Sequence, residues 1–266
     1  MGSFLRATTA VAAMDLRRLL LTRRVVPLLV LGAVPVVLCA TIASLAPAGM
    51  PLGRFVEEFA GMFQLLVLGG TLFFGVASVS VGLLRGEMLE KSLHYLLLSP
   101  VRREAVGAGK YVAGLAATTL TFGISTALSY VILLSGAGAA GRERLLSPEG
   151  LAALFSYVLA TVLACVSYGG LFLAMGLVGK NPMVGAALFW MLERVSVVFP
   201  PVLKRLVPGY HLDSLLPVHI SKGPFALFLD PAPWWVAVPS LLVFGALFAV
   251  VASLGARLIE VRYGGE

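Results

Sequence analysis

Two adjacent ionisable residues, Glu193 and Arg194, interrupt an otherwise apolar run and are the first candidates for chemistry in this chain. A charge inside a membrane-spanning helix costs roughly +2.5–3.5 kcal/mol on insertion scales, so such residues face a partner or water and mark solute or proton paths. On a helix the two point about 100° apart and need not pair with each other. A blander reading stands beside this one, in which the helix ends early and Arg194 snorkels to the outer headgroups. A second group, His211, Asp213 and His219, has the imidazole and carboxylate chemistry of metal ligands. Its spacing matches no metal motif, so we read it as polar loop and assign no metal.

The third group is a polar island at 85–110, RGEMLEKSLHYLLLSPVRREAVGAGK, set between long hydrophobic runs. Read as a helix over 87–98, it places Leu89, Leu93, Leu96 and Leu97 on one stripe, with Glu87, Glu90, Lys91 and His94 elsewhere. Such an amphipathic helix lies on a surface rather than through a membrane. Pro100 ends it by pushing Ser99 out of the α region, and Ser99-Pro100 suits the cap and first residue of a new helix. Arg102 and Arg103 follow, where cations oppose the dipole of a helix start and instead suit lipid phosphates or acidic partner residues.

Familiar enzymatic signatures are missing from the sequence. Gly109-Lys110 is followed by Tyr111 and Gly179-Lys180 by Asn181, so no P-loop phosphate cradle is completed. There is no H-E-x-x-H zinc pair and no G-x-S-x-G nucleophile turn. Cys39 and Cys165 both sit in apolar runs and read as buried, inert thiols.

The elements that must position these residues are membrane helices. Of 266 residues, 59% are hydrophobic and only 12% charged, with a mean hydropathy of +0.97, far below the roughly 25% charge of soluble domains. Six spans are expected, at about 25–46, 59–84, 111–135, 151–178, 183–199 and 234–256, each near the length a bilayer demands. The run at 25–46 is too long for the core of a cleaved signal peptide, the competing reading of a basic start followed by an apolar stretch. The segment 14–24, MDLRRLLLTRR, sets Leu16, Leu19 and Leu20 against Arg17, Arg18 and Arg24 and reads as an interfacial helix. The formal charge of +7 then speaks for loop orientation and anionic headgroups rather than for nucleic acid. With both termini cytoplasmic, thirteen Lys and Arg fall on that side and six on the other. Ser78 with Gly82, and Gly170 with Ala174, are small-x-x-x-small pairs compatible with close helix packing. The connection 200–233 carries seven of the fifteen prolines yet stays apolar, and short helices folded against the outer mouth are expected there. No hydrophilic segment is long enough for a separate soluble domain, so the expectation is one all-α membrane domain over 1–266.

This layout resembles the membrane subunit of an ABC-2 type transporter, the permease of an ABC exporter. In that family an elbow helix precedes six spans. The loop between spans two and three carries an acidic residue, T-x-x-x-L-x-x-S-P, basic residues and a lysine opening span three. The matching residues here are Glu87, Ser92, Leu96, Ser99, Pro100, Arg102, Arg103 and Lys110, with 14–24 as the elbow and serine at 92 replacing the usual threonine. The resemblance implies that 87–98 is a coupling helix, with Glu90 and Lys91 among its coupling residues. It also implies two permease copies, a homodimer, and a separate cytoplasmic ABC ATPase subunit that holds ATP and Mg, with no cofactor in this chain. Location in the inner (plasma) membrane and export of an amphiphile (a lipid, drug or glycan) follow as expectations. The polar outer domain of some relatives is missing, and the short 200–233 connection is similar to the outer helical hairpins of lipid and polysaccharide exporters. The alternative from another class is a stand-alone membrane enzyme or secondary carrier that uses Glu193 and Arg194 directly.

Overall fold

A computed structural model of the chain describes residues 2–47, 49–89, 102–178, 181–219 and 230–256. The described chain is helical almost throughout, and no strand occurs among the described residues. Helix α1 (Gly2–Leu21) is followed by a 3-10 turn (Arg23–Val25) and α2 (Val26–Leu45). Next, α3 (Leu52–Met62) runs through a π-helix (Phe63–Thr71) into α4 (Leu72–Leu89). Then come α5 (Arg103–Ser135), α6 (Gly138–Leu146), α7 (Pro148–Val178) and α8 (Pro182–Val195). The short α9 (Pro201–Lys204) and α10 (Pro208–Ser214) precede α11 (Trp234–Gly255).

Local chemistry explains the starts. Pro27, Pro182, Pro201 and Pro208 sit in first turns, where a missing N–H is not needed and φ is already helical. Ser147 caps α7, its Oγ accepting from Gly150 N at 3.1 Å. Gly138, at φ 69°, makes the tight turn from α5 to α6.

Five helices are long and apolar enough to cross a membrane: Val26–Leu45, Leu52–Leu83, Arg103–Ser135, Pro148–Leu177 and Trp234–Gly255. Two start earlier than the apolar runs at 59–84 and 111–135 suggest. Hydropathy marks the greasy stretch, whereas the helices continue through charged residues whose heads reach water, such as the exposed Arg54–Glu57 pair. The stretch expected as a span at 183–199 is instead a 14-residue helix, α8, extended by one 3-10 turn at Ser196–Val198. At 1.5 Å per residue α8 covers about 21 Å, short of a ~30 Å hydrocarbon core.

Helix α7 is central, with 72% of its most apolar window buried against 22% for α2 and for α11. It packs on α4, α5, α8, α10 and α11. Gly170 is consumed inside this bundle, because a Cβ there would strike the Gly245 carbonyl of α11. That small residue therefore serves intramolecular packing, while Ser78 and Gly82 are exposed on α4.

The helix expected at 14–24 is longer and begins at Gly2, because its first half is also packed. Val11 and Ala12 are buried, and Gly109 of α5 admits α1 so closely that a Cβ would meet Val11 Cβ at 2.7 Å and the Thr8 carbonyl at 2.9 Å. The contact is locked by charge. Lys110 Nζ lies 3.2 Å from Asp15 Oδ2, with side chains 0% and 2% exposed.

Candidate functional site

The island at 85–110 is described only in part. Glu87 lies in the last turn of α4, so α4 extends into the stretch expected as a separate helix over 87–98. Glu90, Lys91, Ser92, Leu96, Ser99 and Pro100 lie outside the described residues. Arg102 is extended, with ψ 128°, and α5 begins at Arg103, so Pro100 is not the first residue of that helix. Arg102 and Arg103 are both exposed at this start.

Glu193 and Arg194 are fully described, and they do face partners. On α8, Glu193 meets Tyr168 of α7 and Phe189 stacks on Phe73 of α4, while Trp190 and Arg194, four apart, share the side toward the π-helix. The Tyr168 hydroxyl donates to the Glu193 carboxylate, 2.9 Å from Oε1 and 3.0 Å from Oε2. The Gly209 amide of α10 donates to Oε1 at 3.1 Å. Tyr168 stands within Pro148–Val178, roughly 30 Å from one end and 15 Å from the other at helical rise. Glu193 therefore meets α7 well away from both ends of that helix, and it is held there by protein donors.

The π-helix supplies acceptors on the opposite wall. The Trp190 indole donates to the Gly69 carbonyl at 2.5 Å, and Arg194 Nη2 donates to the Leu65 carbonyl at 3.3 Å. A widened helix offers carbonyls that an α-helical ladder would consume, and such segments recur at functional sites. Arg194 also lies 5.4 Å over the Trp190 ring, a cation–π contact. Gly69 is required by this arrangement, since a Cβ there would overlap the guanidinium. Gln64 Nε2 donates to the Val218 carbonyl at 2.7 Å, tying the loop after α10 to the same π-helix.

These residues surround a cavity of about 60 Å³, whose lining includes Gln64, Tyr168, Trp190, Glu193, Arg194 and Asp213. At 10–15 Å³ per water that volume holds roughly four waters. Phe73 backs the site, stacked 6.3 Å from Phe189 and edge-on to Tyr168 at 5.1 Å.

The loop residues weighed as ligands are used otherwise. His211 is buried and its Nε2 lies 2.8 Å from the Arg205 carbonyl, His219 is exposed, and Asp213 lines the cavity. Among the described residues no group of three or more His, Cys, Asp or Glu side chains is placed to hold a metal. Burial pushes the His211 imidazole below its ordinary value of 6.5, the backbone bond opposing it only in part.

Sequence reasoning found Glu193 and Arg194 but not Tyr168, Gln64 or Trp190, nor Asp15 as the partner of Lys110. Two signals were present. Asp15 is the only acidic residue in the first 56 positions, and Gln64 stands alone as an amide inside the apolar stretch FQLLVLGG. Comparison of the chain with protein-family models, characterised proteins and solved structures gives no match.

Proposed function

We propose that this chain is the permease subunit of an ATP-driven exporter of the ABC-2 type, moving an amphiphile such as a lipid, drug or glycan. In this reading α8 with its 3-10 turn is a shortened fifth of six spans, both termini are cytoplasmic, and the protein lies in the inner membrane as a homodimer. Segment 14–24, the last turns of α1 with the start of the 3-10 turn after it, is the elbow, and 87–98 is the coupling helix on which a separate ATPase subunit, carrying ATP and Mg, pushes. Glu87, Glu90, Lys91, Ser92, Leu96, Ser99, Pro100, Arg102 and Arg103 form its contact.

One observation carries the reading. Asp15 and Lys110 join α1 to α5 at the last residue of the polar island, so a push on that island reaches an elbow and a span that move as one body. An ion pair this dry is a rigid joint, because separating it strands a buried charge. The exposed Arg102 and Arg103 beside it suit acidic partner residues.

The carrier reading is favoured by one finding, the cavity beside Glu193 and Arg194. Its size fits water rather than an amphiphile. Purification from native membranes separates the two. The expected result is a stoichiometric P-loop ATPase subunit and transport of a fluorescent phospholipid in vesicles only with ATP. Transport by the isolated chain without ATP, or no co-purifying ATPase, overturns the proposal.

A further inference from the structure

The segment 201–214 is built to be held rather than to hold itself. Helices α9 and α10 have four and seven residues, far below the ~12–15 at which an isolated helix becomes even marginal in water. What fixes α10 is its surroundings. Val207, Pro208 and Leu212 are buried, and the Gly209 amide meets the Glu193 carboxylate that Tyr168 of α7 also holds. The segment is entered through extended residues next to proline, with ψ 150° at Phe199 and Pro200, and a second extended residue, Val207 with ψ 128°, separates α9 from α10. These flanks restrict where bending occurs, leaving short joints between stiff pieces.

We infer that Glu193 is a latch: its carboxylate pins 201–214 against α7, and release of the Tyr168–Glu193–Gly209 contacts lets this segment bow away from α7 between 199–201 and its distal attachment, widening the cavity beneath it. Three features distinguish a latch from ordinary packing. Two donors from two different elements converge on one carboxylate, so one event frees both. The carboxylate is half-buried rather than sealed, so water can reach it as these donors part. The cavity beside the carboxylate has room for the waters that would do so. The Ser214 hydroxyl accepts from Ala232 N at 3.0 Å and Tyr210 Oη donates to the Asp230 carbonyl at 2.7 Å. These bonds leave the distal end of the segment attached to the approach to α11. The inference rests on α7, α8 and α10 alone and is tested separately from ATP-driven export.

The test places Val207→Cys in the full chain in lipid nanodiscs and measures its rate of reaction with a membrane-impermeant maleimide. Val207 is buried and cysteine nearly matches its volume, while Cys39 and Cys165, both fully buried, make the unsubstituted chain the blank. In the otherwise native chain the introduced thiol should be protected. Glu193→Ala should speed labelling about tenfold or more, the ratio expected from removing a charged hydrogen-bond acceptor. Tyr168→Phe keeps the ring against Phe73 and Phe172 and should give a smaller rise. Glu193→Gln, whose amide oxygen still accepts from both donors but without charge, should fall between native and Glu193→Ala. Ala160→Cys, at a fully buried position elsewhere on α7, reports general loosening. Equal labelling of Val207→Cys in all backgrounds, or a parallel rise at Ala160→Cys, overturns the latch.

Discussion

Two charged sites among the described residues differ in design, one buried and one half-buried. At the α1–α5 contact, Asp15 and Lys110 pair charge to charge with side chains 2% and 0% exposed. At the α7–α8–α10 contact, Glu193 is held by a phenol and a backbone amide beside a cavity, and Arg194, its neighbour in sequence, is exposed and reaches the π-helix instead. The contrast follows from what each joint would release. Parting a dry ion pair exposes buried charge, which fuses two helices, whereas a half-buried carboxylate beside a cavity can exchange its phenol and amide donors for water.

The largest expected effect tests the rigid joint. Lys110→Ala should break the buried pair with Asp15 and cost up to about 3–5 kcal/mol, read as loss of folded protein in detergent denaturation. The double change Asp15→Leu with Lys110→Met should recover most of that loss, since well-packed apolar side chains are often as stable as a buried pair. If the single substitution is silent, α1 is not locked to α5 and the contrast fails. Gly69→Ala probes the other site with a smaller expected cost, about 1 kcal/mol. Its Cβ displaces the tip of a flexible arginine rather than backbone, so Arg194 should leave both the Leu65 carbonyl and the Trp190 face. A lower melting temperature than native, with Arg194→Ala adding nothing further in the Gly69→Ala background, is the expected outcome.

How far the sequence foretells these sites depends on the range of the interactions. Apolar runs reveal the long helices because burial in lipid demands about 20 greasy residues in a row, a local property. Their ends were less legible: α3 starts at Leu52 and α5 at Arg103, since charged first turns reach water and hydropathy stops before the helix does. At α8 the helix is instead shorter than the apolar run. Its composition is apolar enough for a span, but the helix breaks at Ser196, and nothing in the periodicity of 183–199 marks that position. Glu193 was visible as an anomaly in grease. Its partners were not, because Tyr168 lies 25 residues away and Gly209 contributes a backbone amide with no side-chain signature at all. Likewise the Asp15–Lys110 pair spans 95 positions, a separation that only tertiary packing closes.

The smallest effect concerns pH and applies only to the water-exchangeable side of the comparison. His211 is buried on α10 beside Tyr210, with Nε2 placed to donate to the Arg205 carbonyl and no hydrogen-bond partner at Nδ1. Its folded pKa lies below the ordinary 6.5 because burial disfavours the imidazolium. Above 6.5 both the docked and the released segment are neutral at this residue, and docking keeps its full stability. Below 6.5 the released form binds a proton that the docked form does not, so stability falls as pH drops from 6.5 toward the folded pKa. Hydrogen exchange of the 208–214 amides, corrected for intrinsic rates, should therefore accelerate between about pH 7.5 and 5.5 relative to the α1–α5 contact. His211→Asn should flatten that response. A parallel acceleration at α1–α5 would make the two joints alike and remove the distinction between a fused contact and a releasable one.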